Sequence, residues 1–179
     1  MELTVLVLVN GGAEAFIFSG NLCARINFAP ATKDDKILEG PKTIISMFPF
    51  LRNTAFESGV DAAFDSTREN EAYIFKDSQY ALINYSSKTL VHAILAITEG
   101  FHSLKDTTFE DGIEAAFASH REDEAYLFKG DKYALINYAP GTTDNYIIVG
   151  VNDGVKDEGY PYKWALSSGN ASPPQEPWS

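Results

Sequence analysis

The residues that first invite a chemical reading are three glutamates. Glu14, Glu71 and Glu124 each open an apolar stretch, at intervals of 57 (71 minus 14) and 53 (124 minus 71) residues. Paired carboxylates can act as general acid and base, but catalytic groups break repeat symmetry and these follow it. They read as structural, satisfying backbone donors at a turn. His92, His102 and His120 share neither a repeat position nor a ligand-type spacing, and read as surface or loop histidines. Cys23, the single cysteine, excludes an intramolecular disulfide and reads as a buried, inert thiol in a reducing compartment, the cytosol. With no zinc spacing, phosphate-cradling glycine loop or nucleophile elbow, the sequence carries no catalytic constellation, and no enzyme is expected.

Charge narrows the ligand classes. The chain has 179 residues, with 25 Asp+Glu against 14 Lys+Arg, a net charge of −11 at pH 7. Such a field repels phosphate backbones and attracts divalent metals and small polycations, although an acidic surface also serves solubility. Nucleic acid is not an expected partner. Residues 1 to 9 lack a basic leading region and read as a strand rather than a signal peptide, so the sequon Asn170-Ala171-Ser172 has no secretory context. No run approaches the ~18 consecutive apolar residues of a membrane helix, and no membrane association is expected.

The elements that position these residues follow from the repeat. Glu14-Ala15-Phe16-Ile17-Phe18 recurs as Glu71-Ala72-Tyr73-Ile74-Phe75 and as Glu124-Ala125-Tyr126-Leu127-Phe128. A second block keeps step, with Asn27, Asn84 and Asn137 each 13 residues after the glutamate (27 minus 14, 84 minus 71, 137 minus 124). Each unit reads as a β-meander: an inner segment such as Val60 to Phe64, the glutamate strand, a tight turn such as Lys129-Gly130-Asp131-Lys132, and a strand such as Tyr80 to Tyr85. Short outer strands are expected at Lys36 to Leu38 and Tyr146 to Val149. Short helices are expected within Gly40 to Phe48, with Pro41 near the start, and at Val91 to Ile97.

Side-chain size points to a radial arrangement. Ala62, Ala63, Ala115 and Ala116 fall on the inner strands, where sheets converging on an axis leave little room, while Phe64, Tyr73, Phe75, Tyr80 and Tyr85 fill the wider space outward. A stacked solenoid is the alternative, but it has no reason to taper. The expected fold class is therefore all-β: a propeller of three recognisable four-stranded blades with short helices at the blade ends. Residues 1–59, 60–112 and 113–165 each form a blade, the first with an atypical first strand, and 166–179 form a disordered tail containing Pro173, Pro174 and Pro177.

Asp61-Ala62-Ala63, Glu71-Ala72-Tyr73-Ile74-Phe75 and Tyr80-Ala81-Leu82-Ile83 resemble the hemopexin repeat. Gly40-Pro41-Lys42, Met47-Phe48-Pro49-Phe50, Thr54 to Gly59 and Ala115 to His120 are similar to the phrasing of the albumin-2 family of legume seeds, over about residues 3 to 150. That resemblance implies a non-enzymatic binding and nutrient-reservoir protein in the cytosol of seed cells. It also implies a ring of four blades, of which three are recognisable here. An open arc exposes apolar side faces, so either a gap or self-association, such as a homodimer, is expected.

The resemblance places a hard cation, Ca²⁺ or Na⁺, at backbone carbonyls of the first inner-strand residues: Thr4, Asp61 and Glu114, with Thr4 standing where an Asp is usual. It places chloride at the amides of Leu6, Ala63 and Ala116. Spermine and haem are the further ligands it implies, with no individual residue assigned to either. A protein–protein interaction module is the alternative functional reading.

Overall fold

The structure is a computed structural model that describes residues 5–9 (main chain only), 12–29 and 32–150. Within them stand three antiparallel sheets. The first runs β1 (Val5–Val9), β2 (Glu14–Ser19), β3 (Leu22–Asn27), β4 (Lys36–Thr43), with a short helix α1 (Ile44–Met47) after it. In the second, β5 (Ala62–Asp65), β6 (Glu71–Lys76) and β7 (Gln79–Asn84) are edged by two fragments, β8 (Thr89–Leu90) and β9 (Leu95–Ala96), both paired with β7 and followed by α2 (Ile97–Gly100). The third is β10 (Ala115–Ala118), β11 (Glu124–Lys129), β12 (Lys132–Asn137) and β13 (Tyr146–Gly150).

Local sequence explains the shared register. A two-residue turn joins the second and third strands of every sheet, and its first residue has positive φ: Gly20 at 53°, Asp77 at 50° and Gly130 at 56°. Glycine reaches that region without a Cβ clash, and aspartate tolerates it. The recurring asparagine ends each third strand by turning the chain: Asn27 Oδ1 accepts from the Ala29 amide, Asn84 Oδ1 from the Ser86 and Ser87 amides, and Asn137 Oδ1 from the Ala139 amide.

Two helix expectations need correction. Residues 40–43 continue β4 against β3, so Pro41 sits in an outer strand and only Ile44–Met47 is helical. An edge strand tolerates proline because its outward amide has no ladder partner to lose. Likewise Val91 to Ala96 is loop and strand, and the helix begins only at Ile97. The inner strands also start one or two residues later than the sequence pattern indicated, at Ala62 and Ala115.

Neighbouring sheets meet strand to strand at their inner edges, where β5 lies against β1 on one side and β10 on the other. Alternation of side chains gives each sheet two different faces. In one core, Phe16 and Phe18 of the first sheet pack on Ala72, Ile74, Ala81 and Ile83 of the second. In the other, Phe64, Tyr73, Phe75 and Tyr80 of the second sheet pack on Ala125, Leu127, Ala134 and Ile136 of the third. A ring-bearing face thus meets an alanine–aliphatic face twice, and this size matching lets the two faces pack closely.

A buried polar latch joins the second and third sheets. Asn145, 8% exposed, accepts at Oδ1 from the Ser103 amide (3.0 Å) and hydroxyl (2.8 Å), and donates from Nδ2 to the Gly100 carbonyl (2.7 Å). Gly100 cannot carry a side chain, because a Cβ there would lie 2.0 Å from Tyr80 Oη. Asn145→Ala leaves these groups without their partner, and a loss of about 2–3 kcal/mol is expected. Guanidinium unfolding that shifts the midpoint by that amount without changing the slope is the check.

Candidate functional site

The residues expected to face the axis stand at the starts of the inner strands. Asp61 and Glu114 immediately precede β5 and β10, and each is held by a main-chain bond to the adjacent strand: the Asp61 amide donates to the Phe75 carbonyl (2.8 Å), the Glu114 amide to that of Phe128 (2.9 Å). Because β5 and β10 lie side by side, the two positions occupy the same end of neighbouring inner strands. Thr4 lies outside the described residues, as does the tail from residue 166.

Their carboxylates already have work. Asp61 Oδ1 accepts from Lys76 Nζ (2.7 Å) and Oδ2 from the Asp77 amide (2.8 Å), while Glu114 Oε2 accepts from the Gly130 amide (2.8 Å). Both side chains therefore hold the first residue of the hairpin turn in their own sheet. The hydrogen bond to Asp61, more than the attraction of its charge, raises the Lys76 ammonium pKa above its ordinary value. Lys129 and Asp111 make a further ion pair beside the third-sheet turn. Among the described residues no group of three or more His, Cys, Asp or Glu side chains is placed to hold a metal. A cation at this end would thus be met by main-chain carbonyls, the donor type that hard cations accept.

The recurrent glutamates do not share the turn-capping role expected of them. Glu14 pairs with Arg25 on β3, whereas Oε2 of Glu71 and of Glu124 is buried and has no hydrogen-bond partner among the described residues. Leucine replaces the arginine in the later repeats, at Leu82 and Leu135, which removes the cation. Cys23 matches its reading: it is buried, its thiol contacts Met47 Sδ, and burial pushes its pKa up to about 12, with Glu39 adding to the rise. Such a thiol is a poor nucleophile at neutral pH. His92 packs edge-on against Tyr80 with Nδ1 2.7 Å from the Ala93 carbonyl.

Two features had no sequence signal. Asp65, at the far end of β5 from Asp61, keeps Oδ1 buried without a partner, and burial raises its carboxyl to about 7. Between the second and third sheets a cavity of about 430 Å³ opens, with Tyr73, Tyr80 and Tyr138 on its floor and Glu99 and Asp144 at its rim. Glu99 is partly engaged, since its Oε2 accepts from the Ala96 amide. The aromatic floor was visible as core residues, but loop residues 141–144 join it only through the third sheet's packing. Among the described residues no helix is long and apolar enough to cross a membrane.

Known proteins share this arrangement. No family model matches the sequence. Albumin-2 of Pisum sativum is 50% identical over 139 residues, 77% of this chain and 60% of that protein. The crystal structure of the hemopexin-fold protein CP4 from cow pea superposes with a TM-score of 0.79 at 48% identity, over 82% of this chain and 65% of that one. A plant lectin with two metal-binding sites, from Cicer arietinum, gives 0.80 at 50% identity, over 84% and 66%. The chain spans about 60% of the length of the curated relatives it matches. These relatives are seed albumins and a lectin, not enzymes, and the all-β architecture is the hemopexin fold.

Proposed function

The chain belongs to the albumin-2 family of legume seed proteins, and from that premise we propose that it is a cytosolic storage and binding albumin whose ligands are cationic. Its site for a hard cation, Ca²⁺ or Na⁺, is the end of the inner strands where Asp61 and Glu114 stand. The observation that carries this reading is their equivalence: each precedes an inner strand, each is tied by its amide to the next strand, and each spends its carboxylate on a hairpin turn. That use of the side chain fixes the residue and leaves carbonyl oxygens as the ligands. The lectin from Cicer arietinum, with its two metal-binding sites, supports a metal in this fold.

Polyamine binding, as with spermine, is the second part of the proposal. A charge of −11 draws a linear polycation to the protein, and carboxylates over aromatic rings, as at Glu99 and Asp144 above Tyr80, suit its ammonium groups. For haem no residue is assigned, because His92, His102 and His120 occupy unrelated places in the repeats.

Calorimetric titration with calcium and with spermine tests both parts. The double variant Asp61→Ala/Glu114→Ala releases both turns, so calcium affinity is expected to fall at least about tenfold while spermine affinity changes little. Unchanged calcium binding in the folded double variant, or no saturable binding by the parent, overturns the cation site.

A further inference from the structure

The first sheet carries a cation at a place where the second has none. Arg25 stands opposite Phe16 across β2 and β3, with its guanidinium carbon 6.0 Å from the Phe16 ring centroid and its Nε donating to Glu14 Oε2 (2.8 Å). Tyr85 of the second sheet meets the same ring at 5.9 Å, so this cation lies where the first two sheets join. Moving 57 residues along (71 minus 14, 73 minus 16, 82 minus 25), the carboxylate becomes Glu71, the ring Tyr73 and the arginine Leu82. Tyr138 of the third sheet meets Tyr73 at 5.4 Å, as Tyr85 meets Phe16. Carboxylate, ring and covering tyrosine are kept, and the cation is not. Glu71 shows the loss, since its Oε2 is buried and has no hydrogen-bond partner among the described residues. Its charge reaches the Tyr73 hydroxyl, whose pKa is raised by burial first, with Tyr138, Tyr80 and Glu71 adding to the rise. Arg68, which opposes that rise, donates to the Pro140 carbonyl (2.9 Å).

Space for a replacement exists at the same junction. In the first sheet, Met47 at the end of α1 is fully buried against Cys23; at the equivalent places stand Gly100 (47 plus 53) and Tyr80 (23 plus 57). A glycine where the helix of the first sheet has a long thioether leaves volume that the Tyr80 hydroxyl enters only in part. The cavity of about 430 Å³ opens here, with Tyr73, Leu82 and Tyr138 among the residues of its floor and Glu99 and Asp144 at its rim. Its size falls within the ~300–1,000 Å³ of small-molecule sites, and its mostly aromatic lining with few polar groups is of their kind.

We propose, building on the reading that the acidic rim draws cations, that this cavity binds a small organic monocation: a guanidinium or primary ammonium on a short apolar stem. Its head lies over the Tyr73 ring toward Glu71, as the Arg25 guanidinium lies over Phe16 toward Glu14. The electron-rich face of a tyrosine attracts a cation, more strongly where water is excluded. A guanidinium also brings the N–H donors that Glu71 Oε2 lacks. The stem rests on Leu82 and Phe101, which offer it apolar surface. The inner ammonium groups of a linear polyamine would lie on that floor without acceptors, at a large desolvation cost, so a single-headed cation suits the interior and a polyamine the rim.

Titration of the full, isotope-labelled chain with n-propylguanidinium, followed by NMR, tests the proposal, with n-propylurea as the uncharged molecule of the same shape. Saturable shifts are expected at the amides around Tyr73, Leu82 and Tyr138 with the cation and not with the urea. Glu71→Gln keeps the side chain's shape and is expected to weaken binding at least about tenfold. Leu82→Arg returns the arginine of the first sheet to the second and is expected to abolish binding; if circular dichroism shows that it does not fold, Glu71→Gln decides alone. Unchanged affinity in folded Glu71→Gln, or n-propylurea binding as tightly as the cation, overturns the proposal. Spermine added to the same parent sample separates the two readings. Saturable spermine binding without a response to n-propylguanidinium sinks this site and leaves polyamine binding standing, whereas no response to either removes both.

Discussion

Phe75→Ala is expected to lower the unfolding free energy by about 3–5 kcal/mol, while Phe128→Ala, at the same repeat position 53 residues later (128 minus 75), costs less than about 2 kcal/mol. Phe75 is fully buried on β6, next to its last residue, with ring centroids 5.9 Å from Phe64, 6.3 Å from Tyr80 and 5.7 Å from Phe101. Deleting it opens a cavity among rings that cannot collapse inward, because the third sheet and the Asn145 latch hold the surrounding walls. Among the described residues the Phe128 ring contacts the rings of Phe117 and Tyr133 and is itself half-buried, so truncation removes less contact there. A domain with typical stability of about 5–15 kcal/mol loses a large fraction of it in the first variant. Guanidinium unfolding of the two alanine variants side by side measures the difference, and equal losses would contradict the packing described for the two faces.

The second large effect is a pH dependence centred on Asp65. Its carboxyl titrates near 7 in the folded chain because burial disfavours the charged form, against about 3.9 when unfolded. Between those values the folded state keeps a proton that the unfolded state has released. Stability therefore falls as pH rises through the window from about 4 to 7, at up to about 1.4 kcal/mol per unit. The full shift corresponds to about 4 kcal/mol; since part of the carboxyl reaches solvent, about 2–3 kcal/mol is the expected size.

Asp65→Asn removes this titration. The variant is expected to exceed the parent by about 2–3 kcal/mol at pH 8 and to match it within about 0.5 kcal/mol at pH 4. Other carboxylates titrate in the same range, so the informative quantity is the difference between variant and parent at each pH. A difference that does not vary with pH would show that Asp65 is not held in its neutral form. The repeat itself carries Leu8 and Ala118 at the equivalent positions (65 minus 57, 65 plus 53), so the sheet does not require an acid there.

Much of the architecture was legible because the repeat writes it three times. Glu-Ala-aromatic segments at fixed spacing, with an asparagine 13 residues on, located the paired middle strands of every sheet, and the tight turn Lys129-Gly130-Asp131-Lys132 linked the pair in the third; the matching turns at Gly20 and Asp77 emerged from the structure. Outer elements were less legible, since Pro41 at an edge strand and Pro41 before a helix look alike in a linear sequence. The candidate cation positions came through resemblance to a family. That their carboxylates clasp the hairpin turns, joining residues 15 or 16 apart (76 minus 61, 77 minus 61, 130 minus 114), required coordinates.

Composition and periodicity by themselves determined the all-β class, the apolar character of both sheet faces and the acidic field, because these depend on residue type and alternation alone. Only the tertiary structure decided which faces are covered. Phe64 and Phe117 occupy the same repeat position, yet one is 1% exposed and the other 52%, since burial is conferred by the neighbouring sheet and not by the residue. The same reason governs Asp65: a carboxylate at a strand end is ordinary in sequence, and becomes a proton-binding group near neutral pH only when packing takes away its water.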